Sequence, residues 1–275
     1  MNFRRHSFAA IAGLAVLLFL WIPLIAVAIN SFNRNVIMTR WSGFTTHWYS
    51  QAFHNQPVRA GVVTTIIIGA ISTAASLVLS VTAGLWWRRA SGRARRIFDA
   101  LVYARIILPE VVFATALFFF FNRIHLGLGI WAIIIGHTVW NSAYATLIIQ
   151  ARIVGLDPAL EEAAADLGAT PWRAFRRVTA VLLLPGVVTA GLLALTFSFD
   201  DVVTSFFMGG AATAPLPIVL FGLIRFEITP EINAVGVLFM LLTVAMMSLA
   251  VSSFRAGESV VRRGGADRLM GMYRR

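Results

Sequence analysis

Long apolar runs separated by short polar linkers make up most of the 275-residue chain. A helix needs about 20 apolar residues to cross the hydrocarbon layer, at about 1.5 Å of rise each. Six runs reach that length, near Phe8–Ile29, Gly61–Trp87, Ile97–Phe121, Gly129–Ile149, Val181–Met208 and Asn233–Phe254. No polar stretch between them is long enough for a soluble domain. The pattern therefore predicts an all-α membrane protein of six transmembrane helices forming one membrane domain. Arg4, Arg5 and Ala26-Val27-Ala28 give the first run the look of a signal peptide. Its length of about 22 residues exceeds the usual 7–15, and Trp21 and Pro23 interrupt it, so it reads as an uncleaved first helix.

The linkers predict the orientation. Arginines precede the first span (Arg4, Arg5) and follow the second (Arg88, Arg89, Arg93, Arg95, Arg96), the fourth (Arg152, Arg173, Arg176, Arg177) and the last (Arg255 through Arg275). Seventeen fall on that side, and five (Arg34, Arg40, Arg59, Arg123, Arg225) on the other. The positive-inside rule then puts both termini in the cytoplasm.

Composition agrees: 59% of residues are hydrophobic and 13% charged, and the mean hydropathy is +0.80. The net charge is +11, and every base is Arg. Without Lys the chain cannot carry a G-x-x-x-x-G-K-[ST] phosphate loop, which excludes a Walker-type ATPase, and Lys-nucleophile chemistry goes with it. Without Cys there are no disulfides, thiolate metal sites or Cys nucleophiles. The Arg clusters are explained by topology and lack the interleaved base-stacking aromatics of a nucleic-acid binder.

Two loops carry structure of their own. Asn30 to Ala60 holds Trp41, Trp48 and Tyr49 and reads as a packed external segment, with interfacial anchoring as the simpler account. Arg152 to Arg177 is the more explicit. Asp157-Pro158 is a helix start, Gly168 a left-handed stop, and Thr170-Pro171 a second start, which predicts helix, sharp turn, helix. Leu160, Ala164 and Leu167 share one face of the first helix, with Glu162 and Asp166 on another. A plain connecting hairpin would also have this pattern.

Charges within the spans need a partner or a wet cavity. Glu110 falls near the middle of the third span, and Asp200 and Asp201 in the outer part of the fifth. These three acids are expected to line a cation pathway or its outer gate; the alternative is hydrogen bonding to Ser, Thr or Asn within the bundle. Arg105 lies five residues from Glu110, about 140° around a helix, so pairing is not expected. It sits near enough to the cytoplasmic end to snorkel and receives no role. His137 and Asn141, at i, i+4, read as an interhelical hydrogen-bonding pair. No metal-ligand spacing such as H-E-x-x-H is present.

Glu162-Ala163-Ala164, three residues and then Gly168 resembles the EAA loop of type I ABC importer permeases. In that family the loop is a coupling helix docked in a groove of a cytoplasmic ATPase, so the resemblance implies that Glu162, Ala163, Ala164 and Gly168 sit at that interface. The family pattern continues after nine residues with I-x-L-P. Here the window reads Val178-Thr179-Ala180-Val181 and Pro185 comes four residues later, so the bend into the fifth span is expected to be displaced. Leu108-Pro109-Glu110, Ser198-Phe199-Asp200-Asp201-Val202-Val203 and Thr229-Pro230-Glu231-Ile232-Asn233-Ala234 resemble segments of the spermidine/putrescine permease subfamily. His137 falls where that subfamily often has His.

The resemblance implies a type I ABC importer permease (MetI-like) fold in a bacterial inner membrane. Residues 1–58 would be the first helix and external loop. Residues 59–254 would be the transmembrane type-1 domain, with the EAA loop at about 152–180, and 255–275 a basic cytoplasmic tail. Implied partners are a cytoplasmic ATPase dimer that binds the ATP and Mg, a second permease subunit (a sister chain in polyamine systems), an extracytoplasmic substrate-binding protein and membrane lipid. The chain itself would be a transport subunit without cofactor or catalytic residues, importing polyamines or another cationic or small organic solute. A proton-coupled secondary transporter using Glu110, Asp200 and Asp201 is the alternative from a different class.

Overall fold

The computed structural model describes residues 3–36, 40–210, 213–226, 229–246 and 248. Its helices are α1 (Phe3–Asn30), α2 (His47–His54), α3 (Gln56–Arg89), α4 (Gly92–Ile107), α5 (Glu110–Arg123), α6 (Ile130–Val154), α7 (Ala159–Asp166), α8 (Pro171–Ala174), α9 (Ala180–Asp200), α10 (Val203–Met208) and α11 (Leu216–Phe226), with a π turn at Phe175–Thr179. A further apolar helix, α12, covers Pro230–Met246. Among the described residues four helical stretches are long and apolar enough to cross a membrane, and a fifth if the bent pair α4–α5 is one span. The expected sixth run, Asn233–Phe254, extends beyond the described residues.

Two expected spans differ from the pattern. The third is not one helix. Pro109 forces Leu108 into an extended conformation (φ −65°, ψ 126°) by clashing with helical geometry at the preceding residue, and α4 and α5 diverge by 108°. The fifth ends at Asp200; Asp201 is extended (φ −68°, ψ 114°) and α10 follows as a separate short helix. Apolar periodicity runs straight through both breaks, because each half buries the same kind of surface.

The chain divides into two compact units. One gathers α1, α2, the first turn of α3 and most of α12. After α1, Asn33 organises the loop: its side chain accepts from the Asn35 and Ser42 amides and donates to the Arg40 carbonyl. The Trp48 indole donates to the Asn33 carbonyl at 2.7 Å, and Ser31 and Tyr49 hydroxyls meet at 2.7 Å. Trp48 and Tyr49 are therefore packing residues of a built segment, whereas Trp41 is half exposed. Glu231, at the start of α12, accepts from Gln51 and Asn55, both at 2.8 Å, which gives the Pro-Glu-Ile-Asn segment a structural task.

The other unit holds the rest of α3, α4 to α10 and the start of α11. Its centre is α6 packed along α9, with α3 laid against both. Lipid tails are as apolar as leucine, so helices in a bilayer gain little by burying leucine against leucine. Close approach and interhelical hydrogen bonds hold them instead. α3 is built for this: Thr65, Ser72, Ser76 and Ser80 are buried along one face. Ser72 meets Ser198 of α9 at 3.1 Å, and Ser76 donates to the Thr138 carbonyl of α6 at 3.2 Å. Gly69 stands on the same stripe against the Phe199 ring, where a Cβ would collide with ring carbons. Gly69→Leu is expected to destabilise the α3–α9 contact by about 1–3 kcal/mol, read as a lower thermal midpoint of the purified chain in detergent, whereas Val78→Leu on the exposed face leaves it unchanged.

Candidate functional site

A connected polar cluster lies inside the α3–α6–α9 core. His137, on α6, is 2% exposed. Its Nδ1 lies 2.7 Å from the Ser198 hydroxyl, and its Nε2 lies 3.4 Å from Asp201 Oδ1 and 3.3 Å from the Ser205 hydroxyl. Asp201 in turn accepts from the Ser205 amide at 2.8 Å, so the residue that breaks the fifth helix also caps the segment after it. Asn141, one turn on from His137, donates to the Ala194 carbonyl of α9 at 3.1 Å. The pair His137 and Asn141 thus ties α6 to α9, as its spacing predicts. Ser198, the first residue of the Ser-Phe-Asp-Asp segment, and Ser205, for which no local signal exists, complete the shell.

The expected acids separate. Glu110 is the first residue of α5, placed there by the Pro109 break rather than midway along a helix. Its carboxyl lies near enough to Asp201, Arg105 and His137 for their charges to act on it. Asp200 is the exposed last residue of α9 and does not join the cluster. The structure therefore brings two of the three acids into each other's field, from positions 91 residues apart, and leaves the third outside.

Arg105 does not snorkel. It sits in the last turn of α4 with its guanidinium carbon 3.4 Å above the Trp140 ring centroid and 4.1 Å from that of Phe113. The sequence gives no signal for this, because the stacking depends on the α4–α5 bend that brings Phe113 back over Arg105.

A second site is the α6–α9 connection. Asp157 Oδ1 accepts from the Ala159 amide at 3.0 Å at the head of α7. Gly168 (φ 78°) ends it, with Gly168 and Ala169 amides returning to the Ala165 and Ala164 carbonyls, the paired bonds of a Schellman stop. Thr170 then caps α8 by accepting from the Arg173 amide, with Pro171 in the first turn. The helix–turn–helix expectation is met. Pro185, to which the bend was expected to move, lies inside α9, and the chain is helical from Pro171 to Asp200 with a π turn ahead of α9.

Glu161 anchors this loop. Its Oε1 accepts from Arg88 of α3 at 2.7 Å and from the Thr179 hydroxyl in the π turn. The Thr179 bond and, after it, the Arg88 guanidinium hold its carboxyl below the ordinary glutamate range, against the opposing pull of burial. A cavity of about 490 Å³ lies beside this clamp, lined by Trp86, Arg89, Ala165 and Phe175 among others. With Glu161 turned inward, Glu162, Ala163 and Gly168 are exposed and Ala164 is partly so. Leu167 (90% exposed) and Trp172 (68%) stand beside them. Sequence alone did not distinguish the two adjacent glutamates, since the partner that chooses Glu161 is 73 residues away.

Comparison with known proteins gives a consistent family. Residues 76–263 match the family described as binding-protein-dependent transport system inner membrane component. The chain is 32% identical over 249 residues to the spermidine/putrescine transport system permease protein PotC of Haemophilus influenzae, covering 90% of this chain and 95% of that one. It is 31% identical over 232 residues to the putrescine transport system permease protein PotI of Escherichia coli, covering 81% and 82%. Its fold is similar to a chain of a bacterial ABC transporter that imports alginate (TM-score 0.69, 15% identity, 92% and 98% covered) and of the MetNI methionine ABC transporter (TM-score 0.60, 21% identity, 72% and 94% covered). The chain belongs to the inner-membrane components of binding-protein-dependent transport systems, and is a multi-pass, non-catalytic permease subunit of an ABC importer whose ATPase is a separate chain.

Proposed function

We propose that this permease imports polyamines, with both termini in the cytoplasm, and forms half of a translocation pathway completed by a second permease subunit. The observation that carries the substrate class is the placing of Asp201 against buried His137, with Glu110 near enough for the two carboxyl charges to act on each other. Two carboxylates held close in a low-dielectric interior repel each other, and a passing ammonium group relieves that repulsion. The identity to two polyamine permeases over most of the chain supports the same reading. Asp200, exposed at the end of α9, fits an outer gate better than the cluster itself. An extracytoplasmic binding protein delivers the solute, and alternating access moves it past these acids.

Coupling runs through α7. An eight-residue helix is marginal alone, and this one buries none of its residues. Its exposed rim of Glu162, Ala163 and Gly168, with Ala164 behind it and Leu167 and Trp172 alongside, suits a groove on the partner ATPase dimer. Glu161 makes the loop a lever: a push on α7 reaches α3 through Arg88 and α9 through Thr179. Family membership removes the proton-coupled alternative, because ATP hydrolysis in the partner supplies the driving force.

Purification of the tagged chain from its native membrane is expected to bring an ATPase and a second permease, and reconstituted complex is expected to take up spermidine with ATP. Failure of spermidine to drive either uptake or ATP hydrolysis would overturn the substrate class. Asp201→Asn keeps the Ser205 bond but removes the charge. It should cut uptake about tenfold or more, the scale of one lost charge-assisted contact, with the same partners still co-purifying.

The clamp makes a separate prediction. A carboxyl whose folded-state value is depressed contributes stability above its unfolded value of about 4.3 and loses it as pH falls through the lower folded value. A spin label at Ala165→Cys, the sole thiol in this cysteine-free chain, should stay immobile from neutral pH to about 5 and loosen only in more acid solution. Glu161→Gln should loosen it at every pH and weaken substrate-stimulated ATP hydrolysis.

A further inference from the structure

The environment of Arg105 is unusual for a guanidinium. Its Nε, Nη1 and Nη2 atoms are buried, and none has a hydrogen-bond partner among the described residues. Glu110 is near enough for its charge to act on Arg105, yet no ion pair forms between them. What holds the group is the pair of ring faces, Trp140 at 3.4 Å and Phe113 at 4.1 Å, both well inside the range of about 6 Å at which a cation is attracted to an aromatic ring. The rings do not stop there. Phe113 and Trp140 centroids are 5.7 Å apart, Trp140 and Tyr144 are 6.2 Å apart, and Tyr144 and Phe197 are 5.1 Å apart. Together they form a continuous aromatic row across α5, α6 and α9, each member partly exposed.

Rings arranged around a positive charge form the kind of cage that takes alkylammonium ions. Here the cage is filled by the chain's own cation, whose side-chain nitrogens have no hydrogen-bond partner among the described residues. We propose that Phe113, Trp140 and Tyr144 form a binding site for alkylammonium groups, and that Arg105 plugs it until a substrate ammonium takes its place. This rests on the reading that the transported solute is cationic. The arrangement suits exchange in two ways. A buried guanidinium without hydrogen bonds is costly to keep, so its release to water is cheap. Arg105 also spans the α4–α5 bend, from the last turn of α4 to Phe113 in the first turn of α5. Exchange of ammonium for guanidinium would therefore unfasten that bend and signal occupancy to the helices beside Glu110.

The test uses the complete transporter in lipid nanodiscs, titrated with ethylammonium, putrescine and spermidine at constant ionic strength. The readout is the saturable fluorescence change that disappears in Trp140→Phe. Removing an internal competitor restores the fraction of open cage, so Arg105→Met should lower the half-saturating concentration of each ion about tenfold, the worth of the ring contacts released. An unchanged or higher value would overturn the plug. Should Arg105→Met fail to assemble, Arg105→Gln serves. Its neutral amide offers the rings no cation to hold and should shift the same titration in the same direction, whereas no shift rejects the proposal. The ethylammonium arm does not depend on the identity of the cargo. Tight ethylammonium binding without spermidine-driven uptake would leave the cage standing and remove the polyamine assignment. Spermidine-driven uptake with unaltered titrations in the Arg105 variants would do the reverse.

Discussion

The organisation of this permease follows from burying polar groups where no water is available to satisfy them. His137 is the point at which that constraint is met. Its two ring nitrogens have partners on both sides, Ser198 from α9 on one, Asp201 and Ser205 from the segment after it on the other. Ser198 passes the contact to Ser72 of α3. One imidazole therefore fixes α6, α9 and α10 relative to one another and engages α3 through a single intermediary. A buried polar group left without a partner in hydrocarbon costs several kcal/mol, of order 2–7, so the register of these helices is set far more sharply than apolar packing alone would set it. The small residues of α3 follow from the same requirement, because hydroxyls cannot bridge helices held apart by larger side chains.

The breaks in the spans serve the site as well. A straight third helix would carry Arg105 and Glu110 on different faces, with neither able to reach α6. The Leu108-Pro109 break turns α5 back, so that Glu110 approaches Asp201 and Phe113 closes over Arg105. The break at Asp201 frees a carboxyl from the α9 helix and lets it cap the following segment while it faces His137. At the second break Asp201 is buried, which suits irregular backbone at membrane depth, where unpaired main-chain groups facing lipid are not tolerated.

Much of this was legible in the chain. The positions of the first, second and fourth spans followed from apolar run length, and the α7–α8 turn from Asp157-Pro158, Gly168 and Thr170-Pro171, each of which does in the structure what its local chemistry predicts. His137 and Asn141 were found from their spacing. What stayed hidden was whatever depends on long-range geometry. Pro109 was visible, but a proline inside an apolar run can kink a helix or end it, and only the 108° divergence distinguishes the two. Arg105 was assigned to the membrane edge because snorkelling is the usual resolution for a cation near a helix end, and nothing local indicates that two aromatic rings are folded around it. Asp200 and Asp201 looked equivalent until the helix ended between them.

The two adjacent glutamates of α7 show how tertiary contact divides labour that sequence leaves equal. On a helix, neighbouring positions point about 100° apart, so only one can face α3 while the other faces outward. Arg88 and Thr179 choose Glu161. That choice orients the whole loop, since an inward Glu161 places Glu162 and Ala163 outward in the same turn and Gly168 at the exposed reversal. The π turn completes the arrangement. It inserts an extra residue just before α9, where the family pattern would have a proline bend, and brings Thr179 to the carboxylate. A helix that widened elsewhere would point Thr179 away and leave Glu161 held by Arg88 alone. The π turn and the inward glutamate therefore act together: the loop is fastened to the head of α9 through Thr179 and to α3 through Arg88.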